Sequence, residues 1–287
     1  MDHSLTIVIP AYNEASSLPA VLDSLRTARI GDGPPAAIIV VDDGSSDDTA
    51  HVAERHGAMV VRHARNLGYG AALKSGFRRA ETCFVATMDA DGQHTVEALA
   101  SVWAQRLEAD MVVGARSGLH SPLWRMPGKW CLLRMARYLS RQPIPDLNSG
   151  LRVYRRDVLT RYLHICPAGF SLTTTITLAL LNRGWRVVYT PIVVRPRTGR
   201  STVTVVTGLE TTILILRIVA LFSPLRVFVP AAAAIGAFGI LWGVPIALAG
   251  RGISVGSMLA IVTAVILFAL GLLCDQISQL RLERFEE

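Results

Sequence analysis

The segment VATMDADGQH (85–94) closes an apolar run with Asp89, Asp91, Gln93 and His94. Two aspartates one residue apart repel each other unless a cation lies between them. In an extended segment residues i and i+2 project to one side. Asp89 and Asp91 can therefore converge on a point, with Gln93 adding a neutral oxygen on the same side. Such oxygen ligands suit a hard dication, Mg2+ or Mn2+, that bridges a diphosphate. A lone D-x-D also fits an ordinary Asp-rich turn, so position must decide between the two. His94 is expected to make a structural hydrogen bond, because hard-cation sites are built from oxygen.

Two further polar stretches carry candidates. In DDGSSDDT (42–49), Asp42 ends an apolar run and is the candidate for contact with a base or ribose hydroxyl. Asp47, Asp48 or Thr49 would cap the helix that follows. NLGYGAALKSG (66–76) comes one residue from a Walker A loop, but Leu73 stands where glycine is required, and no G-x-G-x-x-G results either. Both nucleotide motifs are rejected. The glycines instead permit a close backbone turn into a helix over 71–80, with Lys74 as a possible diphosphate contact.

The elements that position these loops follow from periodicity. Short apolar, β-branched runs at 5–9, 36–41, 58–62, 84–88 and 111–115 read as strands, with a late strand over 186–197 broken by Pro191. Helical patterns separate them at 17–28, after Thr49, at 71–80 and at 95–107. Runs apolar on both faces that alternate with helices predict an α/β fold with a mostly parallel central sheet covered on both sides. Ligands of such sheets bind beyond the carboxyl ends of the strands. The stretches PAYNE (10–14), DDGSSDDT, NLGYG (66–70) and DADGQH (89–94) all fall there, so four polar loops share one edge. Residues 116–170 read as mixed helix and loop.

Hydrophobic residues make up 51% of the 287 residues, and most of the surplus lies after Thr204. Residues 209–222, with Glu210 and Arg217, are too short an apolar stretch to span a bilayer and fit an interfacial helix. Residues 227–249 and 253–274 carry no charge, and each reaches the length of about 20 residues that a spanning helix needs. Only Gly250-Arg251-Gly252 separates them, which predicts a tight hairpin. This divides the chain into a catalytic domain at 1–204, an interfacial segment at 205–226 and the hairpin with its tail at 227–287. Arg217, Arg226, Arg281 and Arg284 flank the spans, against Arg251 alone in the turn, so the positive-inside rule places both termini in the cytoplasm. The N-terminus shows no export signal, and four scattered cysteines without a CxxC pair read as reduced thiols.

The net charge of +7 is concentrated: ten Lys/Arg lie between Arg116 and Arg161, against Asp146 and Asp157. That patch suits phosphates, although a solvated basic face would look the same. Little aromatic interleaving beyond Trp124, Trp130 and Tyr138, beside a membrane anchor, argues against nucleic acid.

PAYNE, VVDDGSSDDT, NLGYGAALKSGF, MDADGQH and DLNSGLRVYRR, in this order and spacing, resemble the family 2 glycosyltransferases of GT-A fold. Within that family they are similar to the polyprenyl-phosphate sugar synthases of the dolichyl-phosphate mannose synthase-like group, over residues 4–205 and on into the hairpin. The chain departs from the family pattern at Thr95, where proline is frequent, and at Thr202, where a lysine is common beside Arg200. The resemblance implies a sugar nucleotide of the GDP-mannose or UDP-glucose class, with Pro10, Tyr12, Glu14 and Asp42 around its nucleoside. Asp89, Asp91 and Gln93 would hold Mg2+ or Mn2+ on its diphosphate. It further implies polyprenyl phosphate (undecaprenyl or dolichyl) as acceptor, drawn in by Arg116, Arg125, Lys129, Arg197, Arg200 and Ser201. Transfer would invert the anomeric carbon by single displacement. Asp146 would act as an orienting group or base, or serve structurally, with Ser149 and Arg152 shaping its loop. A homo-oligomer is compatible with the hairpin. A processive polysaccharide synthase is disfavoured because no Q-x-x-R-W occurs and two spans form no channel alone; a non-catalytic anchor subunit is disfavoured by the intact Asp pair.

Overall fold

The computed structural model describes residues 4–31, 33–116, 134, 137, 143–169, 171–195, 224–250, 252 and 254–283. The chain divides into two compact units, 1–205 and 206–287.

The first unit is built on a seven-stranded sheet. Its strands are β1 (Leu5–Ala11), β2 (Ala37–Asp42), β3 (Met59–Arg62), β4 (Phe84–Thr87), β5 (Met111–Arg116), β6 (Arg152–Arg155) and β7 (Val187–Ile192), in the order β3-β2-β1-β4-β6-β5-β7. Helices α1 (Leu18–Thr27), α2 (Thr49–Arg55), α3 (Tyr69–Arg79) and α4 (Val96–Ala104) alternate with the early strands. Two more, α5 (Arg156–Tyr162) and α6 (Leu172–Asn182), follow β6.

The alternation of β1 shows why both faces are covered. Leu5, Ile7 and Ile9 pack in one cluster with Leu18, Leu22 and Leu25 of α1 and Leu99, Val102 and Trp103 of α4. Val8 faces the other way and meets α3 so closely that a Cβ on Gly76 would lie 2.3 Å from its Cγ1. Both strand faces are therefore dry, as a parallel sheet requires. β2 and β4 flank β1 in parallel, and the chain's direction of travel across the sheet reverses there. In open α/β sheets ligands bind beyond the strand ends at such a reversal, here between the loops after β1 and β4.

Within the described part of 116–170, a helix and loops are joined by a strand that the mixed helix-and-loop reading did not include. RVYR forms β6, antiparallel to both β4 and β5, in the middle of the sheet. Pro191 does not break the late strand: it lies inside β7, in register with Ala115 on an edge strand where a missing donor is tolerated.

In the second unit, α7 (Leu225–Leu248) and α8 (Val255–Glu283) form the expected hairpin, with Gly250 and Gly252 both at positive φ in the turn. At 1.5 Å per residue α7 is about 36 Å long, enough for a hydrocarbon core of about 30 Å. Both helices are long and apolar enough to cross a membrane. Their outward side chains are exposed, Leu241 at 75% and Leu259 at 65%. The helices meet through small residues: the Ser257 hydroxyl donates to the Gly239 carbonyl at 2.6 Å, and Gly236 faces Ala264. A Cβ on Gly243 would lie 2.1 Å from Ser257 Oγ. Small residues at such crossings let backbones approach. Gly243→Leu is therefore expected to cost about 1–3 kcal/mol of hairpin packing. Thermolysin digestion of the full-length protein in detergent checks this, with exposed Leu248→Ala expected to digest like the wild type. Residues 209–222 lie outside the described residues.

Candidate active site

The loops after β1 and β2 are stitched together. Asn13, at φ 56°, accepts from the Ser46 backbone N–H at 2.8 Å through Oδ1, while its own N–H donates to Ser45 Oγ at 2.9 Å. Glu14 N–H donates to Thr49 Oγ1 at 2.9 Å, and Ala15 N–H to Asp47 Oδ2 at 3.2 Å. Asp47 also accepts from the backbone and hydroxyl of Thr49. Burial opposes ionisation of Asp47, but the donors of Thr49 and Ala15 prevail and hold its carboxyl below the usual range. Asp48 is the N-cap residue of α2 by position but makes no side-chain capping bond. Asp42 is buried at the tip of β2, where Oδ1 accepts from Ser45 N–H at 3.0 Å. Pro10 pairs with Val41, and Tyr12 stands half exposed beyond them. The Glu14 carboxylate accepts from the Ser17 hydroxyl.

Asp43, which the sequence reading passed over, organises the third loop. Oδ1 accepts from Leu67 N–H at 2.9 Å and pairs with His63 Nδ1 at 2.6 Å; Oδ2 accepts from Gly68 N–H at 2.8 Å. His63 Nε2 continues the chain to Ser75 Oγ at 2.9 Å. The signal was the doubled Asp in DDG, whose adjacent side chains leave a strand end in opposite directions.

The glycines of NLGYG serve a second segment rather than a ligand. A Cβ on Gly70 would stand 2.6 Å from the carbonyls of both Pro167 and Gly169, and Ala71 N–H donates to the Ala168 carbonyl at 2.8 Å. Lys74, the candidate diphosphate contact, donates to the Cys166 carbonyl.

β4 ends at Thr87, and residues 90–91 form a turn, with Gly92 at φ 73°. The extended geometry expected across Asp89 and Asp91 therefore does not hold. Asp91 is 9% exposed, and its Oδ1 accepts from Gln93 N–H at 3.1 Å. Asp89 is enclosed by named groups. The Tyr69 hydroxyl donates to Oδ1 at 3.0 Å, and His94 Nε2 lies 3.6 Å from Oδ2. Burial disfavours the Asp89 anion, but His94, Tyr69 and the charge of Arg116 outweigh it, so the carboxyl sits below the usual range.

Arg116, at the end of β5, and Asp146 hold each other in a bidentate pair, Nε–Oδ2 2.7 Å and Nη2–Oδ1 3.0 Å. Asp146 also accepts from Asn148 N–H at 3.0 Å. Burial works against the Asp146 anion, but these donors lower its pKa and make it a weak base. The loop that follows is fixed from beneath by Arg152. That residue is fully buried, and its guanidinium donates to the carbonyls of Leu147, Ser149 and Thr173 and to the hydroxyl of Thr177. Arg125, Lys129, Arg197, Arg200 and Ser201 lie outside the described residues.

A divalent cation fits this donor set. Asp89, Asp91 and Gln93 all offer oxygen, as Mg2+ and Mn2+ prefer. Among the described residues no cluster of three or more acidic, histidine or cysteine side chains forms a closed cage. An ion held by these oxygens would need further ligands, such as the oxygens of a diphosphate.

Residues 6–163 match the family description "Glycosyl transferase family 2", and residues 223–280 match "GtrB C-terminal hairpin". An uncharacterized glycosyltransferase of Mycobacterium tuberculosis is 39% identical over 200 residues, covering 68% of this chain and 87% of its own. The polyprenol monophosphomannose synthase of Mycolicibacterium smegmatis is 31% identical over 204 residues, 65% of this chain and 75% of its own. The undecaprenyl-phosphate 4-deoxy-4-formamido-L-arabinose transferase of Pectobacterium carotovorum is 32% identical over 169 residues, 56% of this chain and 51% of its own. Glucosyl-3-phosphoglycerate synthase of M. tuberculosis, solved with UDP, has the same GT-A-like fold at a TM-score of 0.62 and 20% identity, over 76% of this chain and 79% of that one. A further structure of that enzyme holds Mn2+, UDP-glucose and phosphoglyceric acid. A mostly parallel sheet with aspartates at the tip of its fourth strand, on a chain that ends in two apolar helices, thus has its counterpart in sequence: this chain belongs to glycosyl transferase family 2 and carries a GtrB-type C-terminal hairpin.

Proposed function

We propose that this glycosyltransferase moves a hexose, mannose or glucose, from a nucleoside diphosphate sugar to the phosphate of a membrane-embedded polyprenyl phosphate. The observation that carries the reading is the presence in one chain of a carboxylate-bearing strand edge and a two-helix apolar hairpin. The relatives named for polyprenol and undecaprenyl phosphate support the acceptor class.

The chemistry follows from the charges. An oxygen of the acceptor phosphate attacks the anomeric carbon, the bond to the donor's diphosphate breaks, and the nucleoside diphosphate leaves with the electron pair, inverting the centre. A phosphate monoester, with a second pKa of about 6, is largely dianionic at neutral pH. Such a nucleophile needs no strong general base, in keeping with an Asp146 tied to Arg116. The obstacle is bringing two polyanions together. Asp89, Asp91 and Gln93 would hold Mg2+ or Mn2+, which when bound neutralises charge on the diphosphate. Pro10, Tyr12, Glu14 and Asp42 would surround the nucleoside. Arg116, oriented by Asp146, would present its free guanidinium edge to phosphate, with Arg125, Lys129, Arg197, Arg200 and Ser201 extending the acceptor surface. The hairpin would anchor the enzyme in a bilayer with the catalytic domain and both termini in the cytoplasm.

The test incubates membranes that contain the protein with radiolabelled sugar nucleotides, polyprenyl phosphate and Mn2+. Organic-extractable label from one donor is the expected result and identifies the sugar. No labelled lipid from any donor would refute the reading.

A further inference from the structure

We infer that Tyr69 and Gly150 are positioning residues that together fix the carboxylate of Asp89 in the orientation the site uses. The inference rests on the metal-site reading above and extends it to two residues outside the DADGQH segment.

Three observations carry it. The Tyr69 hydroxyl donates to Asp89 Oδ1 at 3.0 Å, reaching across from the first turn of α3. Gly150 closes in from another side: a Cβ there would stand 2.1 Å from Asp89 Oδ2 and 2.5 Å from its Cγ, so only glycine leaves the carboxylate room. The loop that carries Gly150 is itself anchored, because Thr87 Oγ1 donates to the Gly150 carbonyl at 2.7 Å just below the tip of β4. Oδ1 of Asp89 thus accepts a hydrogen bond, Oδ2 faces His94 Nε2 at 3.6 Å, and Gly150 closes the space beside the carboxylate. Together they fix a side chain that leaves the strand only two residues beyond its end.

Fixing a ligand before the metal arrives matters because misplaced first ligands lose affinity and rate together. A purely structural tyrosine would stabilise the fold without altering what Asp89 binds. The two roles separate in Tyr69→Phe, which removes the hydroxyl alone, and Gly150→Ala, which adds the Cβ alone.

The experiment uses the full-length protein in detergent. Mn2+ affinity is measured by the EPR signal of free Mn2+ with UDP or GDP present, alongside transfer kinetics and melting temperature. Both variants are expected to bind Mn2+ about tenfold more weakly and to transfer sugar about tenfold or more slowly, the usual scale for a hydrogen bond to a charged group. The acceptor KM should stay within about twofold, as expected for a lost interaction that the acceptor does not make. Wild-type Mn2+ affinity in both variants overturns the inference, as does slower transfer that only tracks a lower melting temperature. A wild type that binds no Mn2+ overturns it as well. If wild type and Tyr69→Phe differ in Mn2+ affinity while no donor labels lipid, the positioning role stands and the acceptor assignment fails.

Discussion

Replacing Asp91 with asparagine is expected to reduce transfer of labelled sugar to lipid by about 10²–10³-fold, the scale for losing one preorganised electrostatic partner of the transition state. The change is nearly isosteric. The hydrogen bond from Gln93 N–H to Oδ1 can be kept by an amide oxygen, so the 91–93 turn survives. What disappears is the charge, and charge is what a dication shared with a diphosphate requires. Circular dichroism and melting temperature should match the wild type while transfer is lost. Chelation with EDTA should reduce wild-type transfer to the same floor, and excess Mn2+ should restore the wild type but not the variant. Asp157→Asn, at a surface pair with Arg155, is the matched control and should stay within about twofold, as surface pairs contribute little. Equal transfer by Asp91→Asn and wild type would remove the metal from the proposed mechanism.

Much of this site was legible because its parts obey local rules. Strands buried on both faces announce themselves by β-branched runs, and β1, β2 and β4 fall where periodicity placed them, with polar loops after each. The hairpin helices were equally plain, since length and the absence of charge suffice. What was hidden depends on contacts between distant segments. β6 is four residues long with arginine at both ends, a composition that reads as solvated surface, yet pairing on both sides places it mid-sheet. Helix α6 contains Thr173, Thr174, Thr175 and Thr177, residues of low helix propensity. It forms because all four are buried, with Thr175 and Thr177 bonded back to the carbonyls of Ser171 and Thr173. The Asp89 surroundings were invisible for the same reason. Tyr69 and Gly150 lie 20 residues before and some sixty after it, and no spacing rule joins them. For Lys74, likewise, no spacing rule announces the contact the structure shows, a hydrogen bond to the Cys166 carbonyl 92 residues away.

Arg152, which the sequence counts in the basic stretch and also expects to shape the Asp146 loop, is buried, and its burial leads to the second large expected effect. Its guanidinium is fully buried and, among the described residues, forms no ion pair with a carboxylate. Four oxygen acceptors take its N–H groups instead: Leu147, Ser149 and Thr173 carbonyls at 2.6, 2.8 and 3.1 Å and Thr177 Oγ1 at 2.6 Å, with Met111 Sδ a weaker fifth partner at 3.8 Å. Arg152→Met keeps most of the volume but leaves three carbonyls without this donor, at a cost of about 1–3 kcal/mol for each acceptor left unsatisfied. Relief from burying a cation offsets part of that. The net expectation is a loss of about 2–4 kcal/mol, because the Leu147 and Ser149 carbonyls lose their buried donor, whereas the Thr173 carbonyl keeps the Thr177 hydroxyl. For a domain of this size that lowers the melting temperature by about 5–15 °C. Arg152→Lys should not rescue it, since one ammonium cannot serve acceptors on two separate segments as a planar fork does. Because two of the clamped carbonyls, Leu147 and Ser149, belong to the loop that ends at Gly150, transfer should fall below what the remaining folded fraction accounts for, even at temperatures where the variant is folded. Full transfer by folded Arg152→Met would show that the loop holds Asp89 without its buried cation.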